Sequence, residues 1–320
     1  MPPAMSEDDG ERTAAPRFSG IKTFMGLPHS TQLEGIDFAV IGIPLDAATN
    51  FRTGARFGPE AIRSMSATVQ PFSIEQDVDV FDVLRGVDYG DLPVVPGYVT
   101  ESYAEIEAGL TPVIEAGCLP VILGGDHSIT LPALRTVVGR YGPLALVHFD
   151  AHTDTKHDHF GQAYGHGTPF RRAAEEGLVV TDASIQVGIR GTRRVSDDIA
   201  SSEALGYAVI TSDEARALGP QSLGDRIRDR VGNHLAFLTY DIDVIDPAYA
   251  PGTGSPVVAG LTSTEALSQI RALSGVEFIG FDIVEVLPAY DHAGITALLA
   301  ASLALEMLAL VAIHRRPASP

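Results

Sequence analysis

Seven short apolar runs, at 36–43, 119–124, 144–150, 184–190, 207–211, 235–241 and 277–283, alternate along the chain with helix-patterned stretches such as 101–117, 129–140, 221–231 and 262–273. Strands that alternate with helices are what a parallel sheet requires, because each crossover must carry the chain back to the same edge. The expected fold class is α/β, a three-layer α-β-α sandwich whose central sheet is mostly parallel and covered by helices on both faces. At 320 residues, 45% hydrophobic and 20% charged, the chain can bury one large core. Neither repeats nor linkers divide it, so 21–320 reads as a single domain. The opening MPPAMSEDDGERTAAP is polar, acidic and Pro-rich, with neither the basic start nor the apolar stretch of a signal peptide. Residues 1–20 are therefore expected to form a flexible arm on a cytoplasmic protein. Cys118 is the one cysteine; it can form no internal disulfide and reads as a small buried residue at the start of a strand.

Three of the apolar runs end in carboxylates and imidazoles. LALVHFD ends at Asp150, and His152 and Asp154 follow at period-two spacing, which lets all three point to one side. Asp241 and Asp243 share that spacing after LAFLTY, and VILGGD leads to His127 through two glycines expected to give a sharp turn. Ligands bind at the carboxyl ends of strands in an open parallel sheet, so these distant segments can meet there. His127, Asp150, His152, Asp154, Asp241 and Asp243 form a hard oxygen and nitrogen set with no thiolate. Such a set favours manganese or a similar divalent ion over structural zinc, with nickel, cobalt and iron also open. Six ligands exceed what one catalytic zinc needs and suit two ions about 3.5 to 4 Å apart. One D-x-D or D-x-H pair alone would read as a solvated loop; three such pieces, each after an apolar run, point to a binuclear site.

These segments, with FRTGARFGPEAIR at 51–63, HGTPF at 166–170, DIDVIDPAYAPGTGSP at 241–256 and DIVEVLPAYDHAGIT at 282–296, resemble the ureohydrolase family of arginases and agmatinases over most of the chain. The resemblance implies an arginase-like fold and two Mn2+ per subunit, with Ni2+ or Co2+ as alternatives. It assigns His127, Asp150, Asp154 and Asp241 to one ion and Asp150, His152, Asp241 and Asp243 to the other, so that Asp150 and Asp241 bridge. His166 matches the position of a proton shuttle, and Glu285 that of the carboxylate holding a guanidinium. Both roles are chemically apt: a His near neutral pKa suits protonation of a leaving amine, and a carboxylate matches the planar guanidinium fork. The implied reaction is metal-dependent hydrolysis of a small guanidino compound to urea and an amine. Agmatine, giving putrescine, is the expected substrate. The alternative is a guanidinobutyrase or another guanidinoalkanoate hydrolase, and the remote one a non-catalytic regulatory homologue, disfavoured because no ligand is lost. A one-zinc deacetylase of similar fold would have no use for His152 and Asp243. The resemblance also implies a homotrimer or homohexamer.

The loops 155–167 and 188–198 are expected at the entrance, where Lys156, Arg193 and Arg194 are balanced by Asp158, Asp197 and Asp198, so charge leaves the substrate tail open. Residues 293–313 are apolar enough to span a bilayer and are followed by His314, Arg315 and Arg316. Glu306 lies within that stretch and favours a buried C-terminal helix and no membrane partner. The net charge of -19 would steer a cationic guanidinium inward, although solubility accounts for it more simply. Its sign, with no basic stripe, argues against nucleic acid.

Overall fold

The computed structural model describes Pro16, residues 19–193 and residues 196–315. Most of the arm expected over 1–20, with Arg194 and Arg316, lies outside them. One sheet of eight strands forms the middle layer: β1 (Phe38–Ile43), β2 (Gly86–Asp91), β3 (Leu119–Gly124), β4 (Ala145–Phe149), β5 (Ile185–Ile189), β6 (Ala208–Thr211), β7 (Ala236–Asp241) and β8 (Phe278–Val284). Their spatial order is β2-β1-β3-β8-β7-β4-β5-β6, and every neighbouring pair is parallel. Successive side chains of a strand point to opposite faces, and here both faces are apolar. Phe38, Val40, Val121 and Leu123 enter one core, whereas Ala39, Ile41 and Ile122 enter the other. That double burial is why the runs read as continuously apolar rather than alternating.

Helices supply the outer layers. The first core takes residues from α1 (Gly58–Ser66), α6 (Ser212–Val231), α7 (Ser263–Arg271) and α8 (Ile295–Arg315). The second takes them from α2 (Val99–Glu115), α3 (Thr130–Tyr141) and α4 (Pro169–Glu175), while the short α5 (Asp198–Glu203) precedes β6. Two elements depart from expectation for local reasons. β2 is an edge strand with polar positions, because its buried Asp88 receives the Arg63 guanidinium. α6 begins nine residues before the stretch at 221, on a capping box between Thr211 and Glu214, and is interrupted at Gly219 (φ 72°) ahead of Pro220.

The C-terminal helix is long and apolar enough to cross a membrane, yet most of it is buried inside the protein. Glu306 is accommodated there because Arg271 donates to it at 2.5 Å and Gln76 does so from the other side. Cys118 is buried directly before β3, as expected.

The backbone bends at Gly125, as expected of the two glycines after β3. Neither has a positive φ. At Gly125 a Cβ would lie 1.9 Å from the Leu45 carbonyl oxygen and 2.8 Å from that of Ile43. The residue is small because two backbone segments cross at van der Waals contact, with Gly125 N donating to Ile43 O at 2.9 Å. Gly125→Ala is expected to destabilise the fold by at least about 1–3 kcal/mol through overpacking, read as a lower urea midpoint at unchanged slope. A midpoint within error of wild type would refute the crossing as a constraint.

Candidate metal centre

The central strands β3, β8, β7 and β4 lie side by side, and each delivers functional groups at its carboxyl end. His127 opens the helical turn His127–Ile129 just beyond β3, Glu285 follows β8, Asp241 closes β7 with Asp243 in the next turn, and Asp150 follows β4. The sheet order thus brings together groups up to 158 residues apart. All six ligand candidates meet, in two overlapping groups. His127 Nδ1 faces Asp150 Oδ2 at 3.1 Å, Asp154 Oδ2 at 3.1 Å and Asp241 Oδ2 at 3.3 Å. His152 Nδ1 faces Asp150 Oδ1 at 3.3 Å and Asp243 Oδ2 at 3.0 Å. Asp150 therefore gives one oxygen to each group. Asp241 gives one oxygen to the His127 group, while its Oδ1 accepts from Asp243 N at 2.8 Å.

A single atom tests whether these residues fit a cation. His127 Nε2 lies 2.9 Å from Thr239 Oγ1. With Nε2 engaged there, Nδ1 is the ring nitrogen that faces three carboxylate oxygens. Nδ1 is buried and has no hydrogen-bond partner. A proton there could serve one of the three oxygens, whereas a metal ion serves all of them at once. Electrostatics point the same way. Burial first, then the charges of Asp243 and Asp150, raise Asp241 well above the usual carboxylate range. Burial and Asp150, against the pull of His152, push Asp243 up to about 6. Carboxylates crowded into a buried site need positive charge between them. The donor set fits two divalent cations.

The period-two picture of 150–154 is replaced by a turn. Asp154 has left-handed backbone (φ 49°), which swings its carboxylate to the His127 group while His152 faces the other. Glu285 shares this conformation (φ 62°). For residues other than Gly each such position costs about 1–3 kcal/mol and persists where the surroundings impose it. Glu285 Oε1 accepts from His127 N at 3.1 Å and from His166 Nδ1 at 2.9 Å; Oε2 is buried without a partner. His166 is held in turn by its backbone N–H on the Ala48 carbonyl. Burial opposes charge on its ring, but the hydrogen bond and the charge of Glu285 overcome this and raise it to about 9.

Beside the ligands opens a cavity of about 550 Å³, lined by His152, Asp154, Lys156, His159, Arg193 and Asp198 among others. Both loops expected at the entrance contribute to it. Residues 36–309 match the Arginase family. The chain is 42% identical over 294 residues to proclavaminate amidinohydrolase of Streptomyces clavuligerus, covering 92% of this chain and 94% of that protein. The solved structure of that enzyme superposes with a TM-score of 0.90 at 42% identity, over 93% of this chain and 99% of that one. Guanidinobutyrase of Pseudomonas aeruginosa is 41% identical over 299 residues (92% of this chain, 94% of it). Mitochondrial agmatinase of Gallus gallus is 41% identical over 292 residues (91% and 86%).

The chain belongs to the arginase family.

Within this arginase-family site one further group stands next to the ligands without having been expected. His148 is wholly buried, and its Nε2 is 2.9 Å from Asp150 Oδ2. It lies close enough to His127 and Asp150 to share an ion with them. Both its ring nitrogens are already bonded, however, Nδ1 to Gln186 and Nε2 to Asp150, so it supports the ligand Asp150 rather than adding to the set. The available signal was its place two residues before Asp150 in a strand, which puts it on the same face. Asp126 is likewise buried and unforeseen, accepting from Ala48 N, Ser128 N and Ser128 Oγ under the turn that carries His127.

Proposed function

We propose that the protein hydrolyses a small guanidino compound with a carboxylate at its far end, releasing urea and an amine. Manganese is the ion we assign to the hard donor set. When bound, two such ions supply Lewis acidity and an acidified water. The chain's own residues do the rest. Glu285 Oε2, buried and unpartnered, is positioned to accept from a guanidinium, while Oε1 is already fixed by His127 and His166. Holding the substrate at both the carboxylate and the ligand cluster is chiefly an orientation effect. His166, whose Nδ1 is held by Glu285, carries the proton that the departing amine needs.

The observation that carries the choice of tail is Lys156. Arg193 is paired with Asp198 at 3.0 Å, and Asp158 is bound to Gly161 N at 2.8 Å beside His157. Lys156 lines the same cavity and, among the described residues, forms no ion pair. Its charge favours a carboxylate tail over the ammonium of agmatine, the substrate expected from the sequence. The names of the relatives in Streptomyces and Pseudomonas support the same choice.

Urea release by the manganese-loaded protein tests this against guanidinobutyrate, guanidinopropionate, arginine and agmatine. Carboxylate-tailed compounds without an amino group are expected to give the highest kcat/KM. Lys156→Glu is expected to shift the ratio of guanidinobutyrate to agmatine turnover by about 5- to 30-fold toward agmatine, the scale of replacing an exposed attraction of about 1 kcal/mol by a repulsion. Wild-type preference for agmatine would overturn the tail assignment alone; no urea from any compound would overturn the reaction.

A further inference from the structure

Behind Asp150 lies a file of buried polar side chains. His148 Nε2 is 2.9 Å from Asp150 Oδ2, Gln186 Nε2 is 3.0 Å from His148 Nδ1 and 2.6 Å from the Thr153 carbonyl oxygen, and Ser202 Oγ is 2.6 Å from Gln186 Oε1. His148, Gln186 and Ser202 are all fully buried. One group fixes the direction of every bond. The Thr153 carbonyl can only accept, so the amide nitrogen of Gln186 must face it. The other hydrogen of that nitrogen points at His148 Nδ1, which must then be the bare nitrogen of the ring. The ring proton sits on Nε2 and is aimed at Asp150. On the far side the Ser202 hydroxyl meets an amide oxygen and therefore donates.

We infer that Gln186 and Ser202 are positioning residues for the metal centre: they hold His148 in its Nε2–H tautomer, giving Asp150 a fixed donor on Oδ2 and keeping the carboxylate turned to both ligand groups. The other tautomer would set a lone pair against Oδ2 and turn the carboxylate away. The amide that orients His148 also grips the carbonyl of Thr153, one residue before Asp154, so a single side chain secures two of the six ligands. Ser202 lies on α5, whose first residue, Asp198, lines the cavity. This inference rests on the six residues being metal ligands.

The test uses the full-length protein and two readouts. Histidine 15N spectra of the metal-free wild type, with His148 assigned by its loss in His148→Asn, are expected to show a neutral ring protonated on Nε2. Calorimetric titration with Mn2+ is then compared among wild type, Gln186→Glu, Gln186→Met and Ser202→Ala. Gln186→Glu keeps the shape but presents an oxygen to Nδ1 and to the Thr153 carbonyl; it is expected to move the proton and weaken Mn2+ binding by about 10- to 100-fold, with a lowered melting temperature. Ser202→Ala removes one neutral bond and should weaken binding by less than about 10-fold. A wild-type His148 protonated on Nδ1, or wild-type Mn2+ affinity in both Gln186 variants, overturns the inference. Should the Gln186 variants not fold, the wild-type spectrum decides it. Wild type taking up no Mn2+ would overturn the metal assignment and this inference with it, a failure that the variants cannot mimic.

Discussion

Asp150→Asn is expected to bind neither ion and to lose at least about 10³-fold in kcat/KM, since metal chemistry supplies several kcal/mol of transition-state stabilisation and each 1.36 kcal/mol is tenfold. Asp150 faces both ligand groups, Oδ2 toward His127 and Oδ1 toward His152. An amide has the same shape but cannot be fitted in either orientation. Oδ1 accepts from the backbone N–H of His152 at 2.6 Å, and Oδ2 lies 2.9 Å from the His148 nitrogen that carries the proton. Whichever oxygen becomes NH2, a donor is pressed against a donor at a fully buried position. Metal analysis of the purified variant beside urea release checks this. Two ions retained per chain would remove Asp150 from its shared role.

His166→Ala is expected to keep its metal content and lose about 10²- to 10⁴-fold in kcat, the range for a positioned general acid. Its pH profile adds a second signature. The working form of a proton donor is the charged ring, which Glu285, against burial, sustains up to about 9. The donor is therefore present below that value and lost as pH rises through it. Cations bound nearby repel the imidazolium and draw the value down. Wild type should show an alkaline limb at or below about 9 that is absent in the variant. A variant with wild-type kcat and the same limb would exclude His166 as the acid.

Much of this site was legible because a buried strand ends where polarity changes. Asp150, Asp241 and Asp243 announce themselves as carboxylates at the close of wholly apolar runs, and the runs in turn specify a sheet buried on both faces. Glu285 and His166 were legible through family resemblance alone; a Glu after a strand and a His beside glycines carry no periodic signal. Their connection, the bond between His166 Nδ1 and Glu285 Oε1, needed coordinates. Gln186 and Ser202 escaped for a different reason. A lone polar residue inside an apolar strand is meaningful only through its partner, and Gln186 meets His148 across 38 positions of sequence. Gly125 was noticed for the bend it makes and not for the close backbone contact it permits, since a sequence shows that a side chain is missing but not which backbone occupies its place. α1 went unread because it begins with Gly58-Pro59, a pair that equally marks a turn.

The position of β8 governs how the molecule can come together. This strand is the last of the sheet to be synthesised, yet it pairs with β3 on one side and β7 on the other. Without it the sheet would be two separate ribbons, β2-β1-β3 and β7-β4-β5-β6. His127 would then ride on the first ribbon, and Asp150, His152, Asp154, Asp241 and Asp243 on the second. The His127 group cannot close until the final strand has slid between them and joined segments more than a hundred residues apart, the kind of long-range pairing that makes assembly slow. Ions bound across that seam would hold the two ribbons on either side of the latecomer, so loading the centre would lock the last step of folding in place.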